Sequence, residues 1–287
     1  MSRINRTTSL ICGLLLSAFL LPIAAEAGGI SFDAGLTPPL DRWIVRTQAR
    51  YMSRSGESMG MSRKMTMYMF PVVVAYGLRP DLTIMVKQPL ISSKMEMGGT
   101  SSTDTGSGDL FIMAKYRAYR INTASYTLGI APTLGIEIPT GPPSHNSRSW
   151  DINSGLFCSW RSGLWASDAN IAYKWNGVAG DGVGGVMPGD ELAMNIALAR
   201  QFSVGRRGRN SIAPVLELNY FDSQAASHDG HDLPHSGESG LNLSPGLKFT
   251  TSSMVLELLV QNPISQSQNG TQLERDTTVI LGSRFLF

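Results

Sequence analysis

"LWASDANIAYKW" (residues 164–175) alternates residue by residue. Trp165, Ile171, Tyr173 and Trp175 share one face with Ser167 and Ala169, while Ala166, Asp168, Asn170, Ala172 and Lys174 take the other. A period of two is the signature of a β-strand. The two tryptophans lie on the same face, ten residues apart. At about 3.3 Å per residue and a tilt near 40°, that spacing rises roughly 25 Å. Two aromatic girdles of a membrane-spanning barrel are separated by that height. A soluble sandwich has no reason to place aromatics so.

The same alternation recurs along the chain. In "SYTLGIAPTLGIEI" (125–138), Tyr126, Leu128, Ile130, Leu134, Ile136 and Ile138 oppose Thr127, Gly129, Ala131, Thr133, Gly135 and Glu137. Tyr68 and Tyr76 bracket another apolar face in the manner of Trp165 and Trp175. Strands are expected at 42–53, 65–77, 82–92, 109–120, 124–139, 151–162, 164–176, 190–202, 211–223, 240–250, 254–263 and 276–287. Connections after the even strands are brief ("LRPD", "INTA", Gly163, "SVGRRGRN", "TSS"). Those after the odd strands are longer: 54–64, 93–108, 140–150, 177–189, 224–239 and 264–275. Short turns at one end and long loops at the other predict an all-β, transmembrane, up-and-down antiparallel β-barrel of about 12 strands over 42–287. Both termini then lie on the short-turn, periplasmic side.

The N-terminus reads as a secretory signal peptide over 1–27. Arg3 and Arg6 precede the apolar run Leu10–Ile23, and Ala25-Glu26-Ala27 is a small-x-small cleavage site. Residues 28–41 are expected to form an N-terminal periplasmic segment. Without 1–27, which hold two Arg and one Glu, 22 basic and 21 acidic residues remain, so no nucleic-acid partner is expected. Cys158 is the sole cysteine after the leader, which excludes an intrachain disulfide framework. No later run approaches the roughly 20 apolar residues of a spanning helix.

The last strand, "TTVILGSRFLF" (277–287), places Val279, Leu281, Phe285 and Phe287 on one face. It resembles the terminal strand of bacterial outer-membrane barrels. That likeness implies outer-membrane lipid around the protein and recognition of Phe287 by the barrel-assembly machinery. Three more stretches carry a family resemblance: "YGLRPDLTIMVKQPLIS" (76–92), "TGSGDLFIMAKYR" (105–117) and "LGIEIPTGPP" (134–143). Together they are similar to the outer-membrane transporter-like family named after phenol meta-degradation (MetA pathway). The resemblance implies a barrel linked to uptake of hydrophobic small molecules. It names no substrate site, because Gly106, Gly108 and Thr140-Gly141-Pro142 are turn and strand-end residues. Gly106 and Gly108 form no dinucleotide fingerprint either, since a strand follows where a helix is needed.

Strand parity assigns a lumen. Lys87, Lys115, Arg117, Glu137, Asp168, Lys174, Glu191, Glu217, Lys248 and Glu257 face away from the apolar side. Both signs occur, which argues against a one-sign selectivity ring. An ion-pair network filling a narrow barrel and a water-filled path both fit. On the second strand, Tyr68, Phe70, Val72, Val74 and Tyr76 face lipid, so Met65, Met67 and Met69 point inward. Met85 and Met113 share that luminal parity, and Met59, Met61, Met95 and Met97 fall in the first two long loops.

Thioethers favour Cu(I) or Ag(I), whereas methionine also lines adaptable apolar surfaces. "SHDGHDLPH" (227–235) adds His228, His231 and His235, side chains suited to Zn, Ni or Cu(II). No cofactor is required; copper or another transition-metal ion is the candidate. "SHNSRSWD" (144–151) holds His145, Ser147 and Asp151 and faintly resembles the active-site region of outer-membrane phospholipase A. There the family's Ser is followed by Asn-Gly-Arg, whereas Ser147 is followed by Arg148. The expectation is therefore an outer-membrane channel or transporter-like barrel for a small molecule, not an enzyme. A metal-linked barrel is the alternative, and a phospholipase-like hydrolase a more distant one.

Overall fold

The computed structural model describes residues 28–58, 61–142, 144–205 and 210–287. The expected signal peptide and Met59 lie outside the described residues. Twelve strands close into one antiparallel barrel. They are β1 Trp43–Ser58, β2 Met61–Arg79, β3 Leu82–Met97, β4 Leu110–Tyr116, β5 Tyr126–Ile138 and β6 Ser149–Ser162. Then follow β7 Trp165–Gly180, β8 Glu191–Arg200, β9 Asn210–Ser223, β10 Glu238–Thr250, β11 Met254–Gln268 and β12 Thr278–Leu286. Each strand pairs with its neighbours in sequence, and β12 pairs with β1 to close the ring. Closure leaves no sheet edge, which a strand-built membrane protein requires.

Alternation produces two chemically distinct surfaces. Leu134 is 62% exposed and its neighbour Ala131, of opposite parity, is 0% exposed. Outward Phe70, Leu156, Ile171, Ile196, Leu216, Leu258 and Leu281 form the apolar band. Each such side chain gains about 1.5–3 kcal/mol on leaving water for hydrocarbon. Two aromatic belts bound the band. At the short-turn end Trp43 stacks on Tyr76, their centroids 4.4 Å apart, and Trp165 faces outward. At the long-loop end Tyr51 meets Tyr68 at 5.4 Å and Tyr173 meets Trp175 at 4.9 Å. The terminal Phe287 is also exposed; its N–H donates to Trp43 O (3.0 Å) and it accepts from Trp43 N (3.2 Å).

The first two long connections differ from expectation. Residues 54–58, 61–64 and 93–97 are strand, and Thr100–Ser107 pairs with β3 as an upward continuation of β4. Met61, Met95 and Met97 therefore sit on strands rather than in loops. The outward residues there, Ser55, Glu57, Ser62, Lys64, Lys94 and Glu96, are polar, so no apolar outer face reveals these extensions. Between the two halves of β4 the register slips past Gln88 and Pro89, where Gly108 N donates to Pro89 O at 2.9 Å. Pro71 opposes Pro89 across β2 and β3.

Residues 28–38 run inside the barrel, and Pro39, Leu40 and Asp41 are exposed where the chain emerges. Ile30 and Phe32 are buried against Ala166, Ala197, Ala199, Ala213, Val215, Leu259 and Ile280. Small side chains on β7–β9 make room for the segment. It leaves at the short-turn end, where Asp41 N donates to Gly77 O (2.9 Å) and Gly77 N to Arg42 O (3.0 Å). A Cβ on Gly77 would stand 2.1 Å from Pro39 O, so this exit requires glycine.

Candidate functional site

The lumen has two parts: a polar bed that holds residues 28–37 and an open cavity beside it. The bed explains many buried charges. Glu217 accepts the N–H groups of Ile30 and Ser31 and the Ser31 hydroxyl. Asp168 accepts Gly29 N at 2.9 Å and pairs with Arg161 at 2.9 Å. Lys248 donates to Gly29 O at 3.0 Å, and Gln48 to Ile30 O at 2.9 Å. Lys115 binds the Asp33 carboxylate and Ala34 O (2.8 Å), Ser159 accepts Gly35 N at 2.8 Å, and Arg117 reaches Thr37 at 3.0 Å. An extended segment carries unpaired backbone groups, and polar wall residues meet them.

Below the segment lies a four-charge cluster. Glu257 is met by Arg46 at 3.0 Å, Arg284 at 3.0 Å and Lys248 at 3.5 Å. Across the lumen Lys174 bridges Glu137 and Asp151, each at 3.2 Å. Buried ion pairs of this kind add little net stability, but losing one partner strands the others.

The cavity holds about 1580 Å³, above the usual 300–1,000 Å³ of a ligand pocket. One wall is apolar but for one lysine: Met69 opposes Ile91, Pro71 opposes Pro89, and Ala75 opposes Met85 across β2 and β3. Lys87 stands within this ladder, opposite Val73 and Phe111. The next strand adds a cationic column, Arg42, Arg46 and Arg50. Ten Arg or Lys and four Asp or Glu border the cavity, so the balance is positive rather than mixed. Arg46, Arg50 and Arg161 are not among the residues assigned to the lumen from the sequence. The parity of "RTQAR" (46–50) did carry the signal, since Arg46, Gln48 and Arg50 alternate with Thr47 and Ala49.

The structure places the expected luminal residues as follows. Met69, Met85, Lys87, Lys115 and Arg117 border the cavity. Met113, Glu217 and Glu257 are buried in the wall or under the segment. Met67 lies higher, paired with Met52, and Met65 pairs with Met95 one row above. Met61 and Met97 are exposed near the top of the hairpins. The three histidines do not converge. His228 and His231 face each other across a two-residue turn whose Asp229 and Gly230 have φ of 50° and 77°. Such Asp-Gly turns suit a hairpin. His235 instead accepts Thr271 N at 3.3 Å in another loop. Among the described residues, no three His, Cys, Asp or Glu side chains gather as metal ligands.

The hydrolase-like triplet is also dispersed. The Ser147 hydroxyl donates to Asp109 Oδ2 (3.2 Å) and Ser149 O (3.1 Å), while His145 Nε2 lies 3.6 Å from Asp104. Asp151 accepts Gly177 N and Ser149 Oγ, both at 2.9 Å. Cys158 has outward parity, between Ile130 and Ala169.

A closed twelve-stranded barrel with an apolar outer band, two aromatic belts and a polar, partly filled lumen has the architecture of an outer-membrane β-barrel. The chain belongs to the family described as the putative MetA pathway of phenol degradation, whose model matches residues 66–271. Among solved structures it is similar to an outer-membrane channel from Pseudomonas putida F1, at 15% identity and a TM-score of 0.66, over 90% of this chain and 100% of that one. More distant are the β domain of the Bordetella autotransporter BrkA (10% identity, TM-score 0.49, 86% of this chain and 100% of that one) and the NanC porin (12%, 0.46, 84% and 98%). No curated protein matches the chain in sequence.

Proposed function

We propose that the protein is a channel that admits a small hydrophobic or amphipathic solute across the bacterial outer membrane, and that it is not an enzyme. Its short turns and termini would face the periplasm, its long loops the exterior, and Phe287 the assembly machinery. The observation that carries this reading is the apolar ladder Met69–Ile91, Pro71–Pro89, Ala75–Met85, which borders a cavity of about 1580 Å³ inside a charged lumen. Water-filled pores of polar solutes need no such wall, whereas an apolar solute does. The phenol-degradation description of the family is in keeping with an aromatic cargo. The experiment is flux in proteoliposomes: small phenolic solutes should enter faster than neutral sugars of equal size. Equal rates, or none above empty liposomes, would reject the reading.

A second reading rests on the register. Met52 opposes Met67 and Met65 opposes Met95, so four thioethers of luminal parity form adjacent rows above the cavity. This block suits Cu(I) or Ag(I). Silver titration of the purified chain should show saturable binding that disappears when Met65 and Met67 become Leu. Binding unchanged by that pair of substitutions would end it.

A further inference from the structure

Of the ten cations that border the cavity, Arg42, Arg50, Lys87, Arg117 and Arg120 make no salt bridge to a carboxylate among the described residues, and Arg50 and Lys87 are the two that stand on the β1–β3 wall. Arg50 donates to Gln48 Oε1 (2.9 and 2.6 Å) and to Ser31 O (3.3 Å), all neutral acceptors. Among the described residues the Lys87 ammonium makes no hydrogen bond or ion pair and lies 4.8 Å over the Phe111 ring. Every carboxylate bordering the same cavity is already held. Asp33 is bound by Lys115, Glu137 by Lys174 at 3.2 Å, and Asp168 by Arg161 at 2.9 Å. Asp109 accepts Gly141 N at 3.0 Å and Ser147 N at 3.1 Å. With ten cations to four carboxylates at its border, the cavity carries an excess of positive charge, even though Glu137 attracts Lys87 and Glu217 attracts Arg50. In a low-dielectric tube such charge attracts anions and repels cations.

The surroundings narrow the anion. Lys87 is set inside the apolar ladder, between Met85 and Pro89 on its own strand face and opposite Phe111 on the next. Arg46 occupies the same transverse row, because Arg46 opposes Val73 and Val73 opposes Lys87. A charge flanked on one side by hydrocarbon and on the other by arginines fits a solute with one anionic head and an apolar body. A small hydrated inorganic ion would leave the ladder unused, and a neutral apolar solute would leave Lys87 without a counter-charge.

We propose that Lys87, with Arg50 beside the same cavity, forms an anion station that favours amphipathic organic monoanions over neutral or cationic solutes of the same size. This deepens the channel reading and rests on it for its biological use. Benzoate is the probe, with benzylammonium as the cationic counterpart.

Equilibrium dialysis of radiolabelled benzoate against the full chain in detergent, corrected for empty micelles, reads the station without requiring passage. Saturable binding is expected at low ionic strength, weakening as salt screens the charge. It should fall about fivefold or more in Lys87→Gln and return in Lys87→Arg, which restores the positive charge. Lys87→Gln touches none of the contacts to residues 28–37, and heat-modifiable electrophoretic mobility confirms that each variant is folded. No saturable binding, equal binding of benzylammonium, or binding unchanged in Lys87→Gln overturns the station. Reversal potentials in planar bilayers across a KCl gradient read the channel separately, with an anion preference expected that declines in Lys87→Gln. Conductance without anion preference overturns the station and leaves the channel; benzoate binding without conductance overturns the channel and leaves the station.

Discussion

Glu257 shows how single residues hold this lumen together. Its carboxylate is buried and faces three cations, Arg46, Arg284 and Lys248. Replacing it by Ala removes one charge but strands several. The expected cost is about 3–5 kcal/mol, read as a lower midpoint for loss of the folded electrophoretic form on heating. Glu257→Ala with an unchanged midpoint would show that water already screens the cluster. Gly77 is the second such residue. Its missing Cβ leaves room for Pro39 O, so Gly77→Val should push the exit of the internal segment out of place. The cost of such overpacking is about 1–3 kcal/mol, and faster proteolysis near Pro38 and Pro39 is the expected sign. A digestion pattern like the parent's would count against the tight exit.

At the scale of elements, the segment 28–37 is set apart from the strands because it owes its position to side chains of the wall. Refolding a chain that begins at Thr37 should still give the barrel, whose ladders do not involve the segment. Glu217, Asp168 and Lys248 would then face water, and the lumen would widen. Failure to refold would show that the segment is an integral core element instead. The strands were legible in the sequence because one face meets hydrocarbon and the other water, so alternation follows from physics. The segment was not legible. In "GGISFDAGLT" Ile30, Phe32, Ala34 and Leu36 alternate with Ser31, Asp33, Gly35 and Thr37 as in a strand, but that period does not say the segment lies inside the barrel, and its partners lie 16 to 219 residues away. The hairpin extensions of β1–β3 were not legible because their outward residues, such as Lys64, Lys94 and Glu96, are polar rather than apolar. The candidate site was half legible. Parity brought Met69, Met85 and Lys87 inward, and it held Arg46 and Arg50 too, but the balance of charge emerges only when Glu217 and Glu257 are seen to be consumed by their partners.

For the whole molecule, the two aromatic belts, the closed ladder and the family membership describe a barrel that spans a membrane. Inside it, a cavity of about 1580 Å³ lies beside the internal segment. If Phe287 guides assembly, removing it should lower the amount of folded protein in outer membranes several-fold without changing the stability of refolded material. Equal yields would assign the last strand a purely structural role. On the proposed function, solutes pass through this lumen beside residues 28–37. Single-channel recording in planar bilayers tests it most directly. The full chain should give small, discrete conductance steps, and the chain that begins at Thr37 should give clearly larger ones. Silent bilayers for both chains, or identical steps for the two, would contradict the account.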